Sequence, residues 1–230
     1  MVLIYILSQD RPVICGHHCK KEETDIPGMK LKFALLLVVL ALSATTTRAR
    51  LRCPSYEELA TPAAAQLDTS MYEGFWYEVY SHNVFLVDSC HCTRYNFSMI
   101  SKTKFTDVFT CHKHSPTSPP FVIPNTGSVD PTTPGKMVES LGPATPPYWV
   151  LGLWDRNGKL LTSSKPGQAY AFALVYACVG SPLLGEFTYF FSRNSTLPDP
   201  VYAEMRSFAS KRNISLSSVK QVPMEGCKWA

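Results

Sequence analysis

The chain has 230 residues, 45% of them hydrophobic, enough to bury one sizeable core, so a single folded domain is expected. Its formal charge is +4, falling to +2 once the first 49 residues are set aside, with no block of like charge. That removes the electrostatic basis for a nucleic-acid partner.

The N-terminus reads as an address. From Met29, "MKLKFALLLVVLALSATTTRA" places Lys30 and Lys32 before an unbroken apolar run, Phe33 to Leu42, followed by small residues. This is the layout of a secretory signal peptide over 29–49, with cleavage after Ala44 or Ala49. The run is about half the ~20 residues a membrane-spanning helix needs, so no permanent anchor is expected. Residues 1–28 read as an upstream extension before a complete signal. Their Cys15, His17, His18 and Cys19 are too few, in too short a segment, to define a metal site. The folded part is 50–230.

An acidic and small-residue lead-in precedes "FWYEVYS" (75–81), which alternates, with Trp76, Glu78 and Tyr80 on one face and Tyr77 and Val79 on the other. "CTRYNFSMI" (92–100) and "FTDVFTCHKH" (105–114) flank "SKTK" as a hairpin. "FVIPNTGSVD" (121–130) and "GKMVESL" (135–141) flank a Pro-Thr turn, and "YWVLGLWD" (148–155), "YAFALVYACV" (170–179) and "FTYFFSR" (187–193) follow. The connections "RNGK" and "GSPLLG" are rich in turn formers, as are eighteen prolines and twelve glycines overall. Eight strands joined to their neighbours by short links predict an all-β, up-and-down antiparallel barrel that closes and so removes its edges. After them, "LPDPVYAEMRSFASKRN" predicts one amphipathic helix: Asp199 as cap, Pro200 in the first turn, Val201, Met205 and Phe208 as the apolar stripe, Lys211 and Arg212 at the end. "VKQVPMEGC" is a final extended segment.

The folded part holds six cysteines, Cys53, Cys90, Cys92, Cys111, Cys178 and Cys227, an even number that in an exported chain reads as disulfides. Three sequons, at Asn96, Asn194 and Asn213, suit the same compartment, with Asn194 placed where packing would hide it. Three readings compete for "CHC" (90–92) and "CHKH" (111–114): disulfides with solvent-facing histidines, a zinc site using Cys90, Cys111, His112 or His114, and a catalytic thiol. Oxidised cysteines serve neither of the last two, and the even count favours the first. No G-x-S-x-G, H-E-x-x-H or phosphate-binding glycine loop is present, so no catalytic residue and no cofactor are implied.

The ordered series "CPSYEEL", "GFWYEVY", "CTRYNFS", "PPYWVLGLWD", "ALVYAC" and "SRNSTLPDP" resembles the lipocalins, and among them apolipoprotein D and the insect bilin-binding proteins. Gly74-x-Trp76 looks like the family's first signature, and "FFSRN" (190–194) like its late arginine motif. "WDRNG" (154–158) departs from the middle motif, Trp154 replacing a threonine. The resemblance implies that Gly74 turns the chain into the barrel base, that Trp76 plugs it and that Arg193 lies across the Trp76 ring. It also implies the pairs Cys53–Cys178 and Cys92–Cys227. Cys90 and Cys111 are left over and flank a hairpin; since Cys90 and Cys92 are two apart, exchange of partners stays open.

The resemblance implies a secreted carrier of one small hydrophobic ligand, a lipid, retinoid, sterol or bilin-type pigment. A glycan on Asn96 would point outward and turn Tyr95 and Phe97 inward; parity from Arg193 turns Tyr189 and Phe191 inward. Phe109, Met137, Glu139, Trp149 and Phe172 complete the expected ligand contacts. The alternative is a secreted interaction protein with a self-filled barrel, binding a protein partner or receptor through "HKHSPTSPP" (112–120) or "DRNGKLLTSSKPGQ" (155–168). A third option is an isomerase working through a free thiol.

Overall fold

The computed structural model describes residues 53–83, 89–140, 142, 144–179 and 185–229. The expected extension and signal peptide lie outside them.

Eight strands follow one another: β1 Gly74–His82, β2 Cys90–Ser101, β3 Lys104–Lys113, β4 Pro120–Val129, β5 Lys136–Ser140, β6 Pro147–Trp154, β7 Phe172–Cys178 and β8 Glu186–Ser192. All eight expected runs are there, to within two residues at each end. Each pairs antiparallel with the next, β8 pairs with β1, and Gly74–Tyr77 of β1 pairs with Phe97–Arg94 of β2, which closes the barrel. A short β9, Val219–Gln221, takes the place of β2 beside the second half of β1.

The lead-in is more ordered than its composition suggested. It forms three single-turn helices, α1 Tyr56–Leu59, α2 Pro62–Ala65 and α3 Thr69–Tyr72. Ser55 and Glu58 make a capping box on α1, Thr61 caps α2 ahead of Pro62, and Asp68 caps α3. Helix α4, Asp199–Ser210, buries Val201, Met205, Phe208 and Ala209. Asp199 does not cap it: Pro198 occupies the cap position and no side chain closes that end, so the carboxylate acts only as a charge in the first turn. The helix ends as Asn213 takes a positive φ of 57°, while the amides of Asn213 and Ile214 donate to the carbonyls of Ser210 and Ala209.

Apolar side chains form two layers. The inner one holds Trp76, Tyr95, Phe97, Phe105, Phe109, Met137, Tyr148, Val150, Ala173, Val175 and Phe191. The outer one lies under α4 and the lead-in and includes Val79, Leu151, Trp154, Leu174, Tyr176 and Phe190. Because β6 and β7 are covered on both sides, their sequences read as continuous apolar runs.

Bulges redirect several strands. An extra residue at Val79 shifts the β1–β8 register, so Tyr80, expected beside Glu78, turns outward and stacks on Tyr202 at 3.9 Å. A second bulge follows His91, where Cys92 adopts φ 56° and its amide donates to the Pro223 carbonyl. It separates Cys92 from Cys90 and decides their partners: the pairs are Cys53–Cys178, Cys92–Cys227 and Cys90–Cys111.

One end of the barrel is shut. Gly74 has φ 93°, where other residues are strained, and leads into Trp76, which is fully buried. The Arg193 guanidinium lies 3.8 Å from the Trp76 ring and donates to the carbonyls of Phe75, Met71 and Tyr170. The Tyr72 ring meets Trp76 at 4.8 Å in a tilted arrangement, and the Trp76 indole donates to the Tyr72 carbonyl at 2.8 Å. The 155–168 segment folds back on this end, burying Leu161 and joining α3 through the Gly167 amide, which donates to Asp68.

Two outcomes are expected. Arg193→Met, losing the ring contact and three charge-assisted hydrogen bonds, lowers unfolding free energy by about 3 kcal/mol in urea titration. Removing Cys53–Cys178 or Cys92–Cys227, which close loops of 125 and 135 residues, lowers the urea midpoint more than removing Cys90–Cys111, which closes 21.

Candidate functional site

The inner face above the closed base is lined by aromatic rings. Of the expected contacts, Tyr95, Phe97, Phe109, Met137 and Phe191 belong to the inner cluster, with Tyr189 packed against it. Tyr95 meets Phe109 at 5.3 Å and Phe191 at 5.0 Å, and Tyr189 stacks on Phe191 at 5.9 Å. Nearer the base the barrel is filled by its own rings: Phe97 stacks on Phe105 at 4.4 Å, and the Tyr72 and Tyr148 hydroxyls meet at 3.0 Å.

Trp149 and Phe172 are corrections. Both belong to the outer layer, Trp149 edge-on to Tyr56 at 5.7 Å and Phe172 among the residues beneath α4. In β6 and β7 their neighbours Tyr148, Val150, Ala173 and Val175 face inward instead. Apolar runs covered on both faces contain no alternation from which to choose the inner set.

The inner face also carries acid. Glu78 is fully buried, and the Tyr95 hydroxyl donates to its Oε2 at 2.9 Å. Burial pushes its carboxyl up to about 7, the hydroxyls of Ser81 and Tyr95 offsetting part of the rise. Asp107, fully buried on β3, was not among the expected site residues, although its place between Phe105 and Phe109 in an alternating strand gave the signal. Its carboxyl is held well above the usual range by burial and by Glu139, with which it interacts directly. Glu139 is raised by burial and pulled back by Asp107. Gly127 of β4 lies between Phe105 and Glu139 in register, and a Cβ there would sit 2.2 Å from the Phe105 ring.

The described cysteines offer no free thiol. Cys90 and Cys111 are bonded to each other, so neither is a thiolate for zinc or catalysis, and every cysteine among the described residues is in a disulfide. A groove of ≈ 590 Å³ lies outside the base, lined by Met71, Arg156, Phe172, Arg193 and Asn194 among others. Asn194, expected to be hidden, is exposed, as is Asn213; Asn96 is half-buried between the inward Tyr95 and Phe97.

No family model and no curated protein matches the chain. Solved structures do. Insecticyanin from the tobacco hornworm Manduca sexta aligns with TM-score 0.56 and 15% identity over 78% of this chain and 90% of that one. Lobster apocrustacyanin A1 aligns at 0.51 and 14%, over 76% and 94%, and the cockroach allergen Per a 4 at 0.50 and 16%, over 72% and 93%. These are lipocalins.

The chain has the lipocalin fold.

At the base of this barrel Arg193 lies across the Trp76 ring and close to Gly74.

The raised carboxyls make stability fall as pH rises. The native state keeps a proton on Glu78 up to about 7, whereas the unfolded chain releases it near 4.5, so stability is present in full below 4.5 and declines towards 7. Glu78→Gln flattens this decline and raises stability at pH 8 by on the order of 3 kcal/mol, measured by urea unfolding at pH 5 and 8.

Proposed function

We propose that this protein is a secreted carrier that holds one small, largely apolar ligand inside its barrel, and that it stands nearest the apolipoprotein D and insect bilin-binding lipocalins. The supporting observation is the inner face itself: Tyr95, Phe109, Tyr189 and Phe191 form a ring-lined wall with a hydrogen-bonded polar point, Tyr95 to Glu78, above a base shut by Trp76. A barrel of eight strands is wide enough for one such molecule. Small-molecule sites of this kind are mostly apolar, with few polar groups fixing orientation.

Export agrees with three disulfides, a pattern of oxidising compartments. Among the described residues no helix is long and apolar enough to cross a membrane. Asn96, Asn194 and Asn213 are the proposed glycan sites, with Asn194 and Asn213 the more exposed. A second reading, an interaction protein with a filled barrel, draws on the stacked rings that occupy the interior near the base.

Trp76 is the tryptophan of the inner cluster, whereas Trp149 and Trp154 lie in the outer layer. Its quenching in the secreted protein, titrated with retinol, a C20 fatty acid, a bilin and progesterone, is expected to saturate at one equivalent for at least one of them. Phe109→Ala is expected to weaken that ligand at least tenfold, since the ring loses its contact area. No saturable binding by the folded protein rejects the carrier reading in favour of the filled barrel.

A further inference from the structure

The 112–120 segment carries β3 into β4. Gly74 pairs with Phe97 and Phe97 with Asp107, so the base lies towards the start of β3 and this segment stands at the opposite, open end. Its sequence, "HKHSPTSPP", sets three hydroxyls among three prolines. The chain turns back over 115–118: the Ser118 amide donates to the Ser115 carbonyl at 3.1 Å, and the Thr117 amide donates to Ser115 Oγ at 3.2 Å. The His112 ring donates through Nδ1 to the Ser118 carbonyl. Pro116 lies beside Gly226, where an added Cβ would come 3.4 Å from the proline ring. The turn is therefore held in place from both sides.

Of the three hydroxyl residues, Thr117 is exposed, while Ser115 and Ser118 are partly buried. Thr117 takes the third position of the turn, and its hydroxyl meets the Ser115 hydroxyl at 2.9 Å, a neutral contact that leaves acceptor capacity on the oxygen. Pro116 precedes it directly and Pro120 lies three residues after it. Proline fixes φ and offers no N–H, so prolines on both sides keep a hydroxyl residue out of helix and ladder and presentable to another protein's groove. Serine and threonine interleaved with proline are the composition of O-glycosylated chains. Thr132, in the other Pro-Thr turn, is exposed as well, but its hydroxyl donates to the Asp130 carboxylate at 2.7 Å, a charge-assisted bond that holds it. Thr117 has no such tether.

We propose that Thr117 is an O-glycosylation site, taking an N-acetylhexosamine from a nucleotide-activated sugar during export. In that transfer Thr117 Oγ1 bonds to C1 of the sugar. The bond from C1 to the nucleoside diphosphate breaks with its electron pair on the diphosphate, and the hydroxyl proton leaves with it. The proposal rests on the secretion part of the carrier reading, since transferases of this kind meet exported chains. It is separate from the three sequons, whose acceptor is a carboxamide. The sugar stands at the open end of the barrel, close in sequence to the exposed Val122 and Ile123 of β4, and gives these apolar side chains a hydrophilic neighbour.

The test is peptide mass analysis of the full chain collected from the medium of secreting animal cells, after enzymatic removal of N-linked sugars. Trypsin releases residues 114–136, a peptide with no N-x-S/T sequon, so any hexosamine on it is O-linked. Electron-transfer fragmentation is expected to place the sugar on Thr117. Thr117→Ala loses it, Pro120→Ala lowers its occupancy several-fold, and Thr132→Ala leaves it unchanged, with the N-linked sugars of all three variants as in the parent. Sugar on Ser115, Ser118 or Thr132 with Thr117 bare overturns the assignment. A bare peptide from protein that is exported and carries N-linked sugar also overturns it, and leaves the carrier reading intact. Retention inside the cell without sugar of either kind defeats both the site and the secretion on which it rests.

Discussion

Closing eight strands on themselves removes the inner face from bulk water, and every polar atom carried there must find its partner within the same wall or from a guest. This constraint orders the rest of the molecule. Backbone groups satisfy one another along the ladders, which closure makes possible all the way round. Side chains are left to settle their own accounts with the low dielectric. Tyr72 and Tyr148 do so with each other, and Tyr95 with Glu78. Asp107 and Glu139 interact with each other, and burial raises both carboxyls.

The two ends of the barrel meet this constraint differently. At the base, Arg193 is partly buried, and its burial lowers its pKa to about 10, yet it stays charged because the Trp76 face and three carbonyls surround it. A buried cation so completely engaged stiffens the structure and leaves nothing for a ligand. Further up, the rings of Tyr95, Phe109 and Phe191 are separate planes with no tight stack among them. The filled layer of Phe97, Phe105 and Tyr148 continues the rigid end, with Asp107 in register with Phe97.

Much of this was legible in the linear chain. Strands β2 and β3 alternate cleanly because their outer faces meet solvent, so Tyr95, Phe97 and Phe109 were readable as inward. The helix was readable from its stripe at Val201, Met205 and Phe208, although its cap was not Asp199. The first of the short lead-in helices carries a signal in the sequence, Ser55 three residues before Glu58. Trp149 and Phe172 were misassigned because β6 and β7 are apolar on both faces, and no period survives there. Tyr80 was misassigned because a bulge at Val79 inserts one residue and reverses the alternation beyond it.

The linear chain therefore sufficed for strand number and strand order, which depend on local pattern, while the glycine-tryptophan-arginine base followed from motifs in series that resemble a known family. Only the folded barrel decided which cysteine of the 90–92 pair joins which partner, which face of the doubly covered strands looks inward, and which acids meet. Those outcomes depend on one-residue bulges and on contacts between strands distant in sequence. Glu139 acquires its chemistry only when β5 is brought near Asp107 on β3, and nothing in either strand alone encodes that meeting.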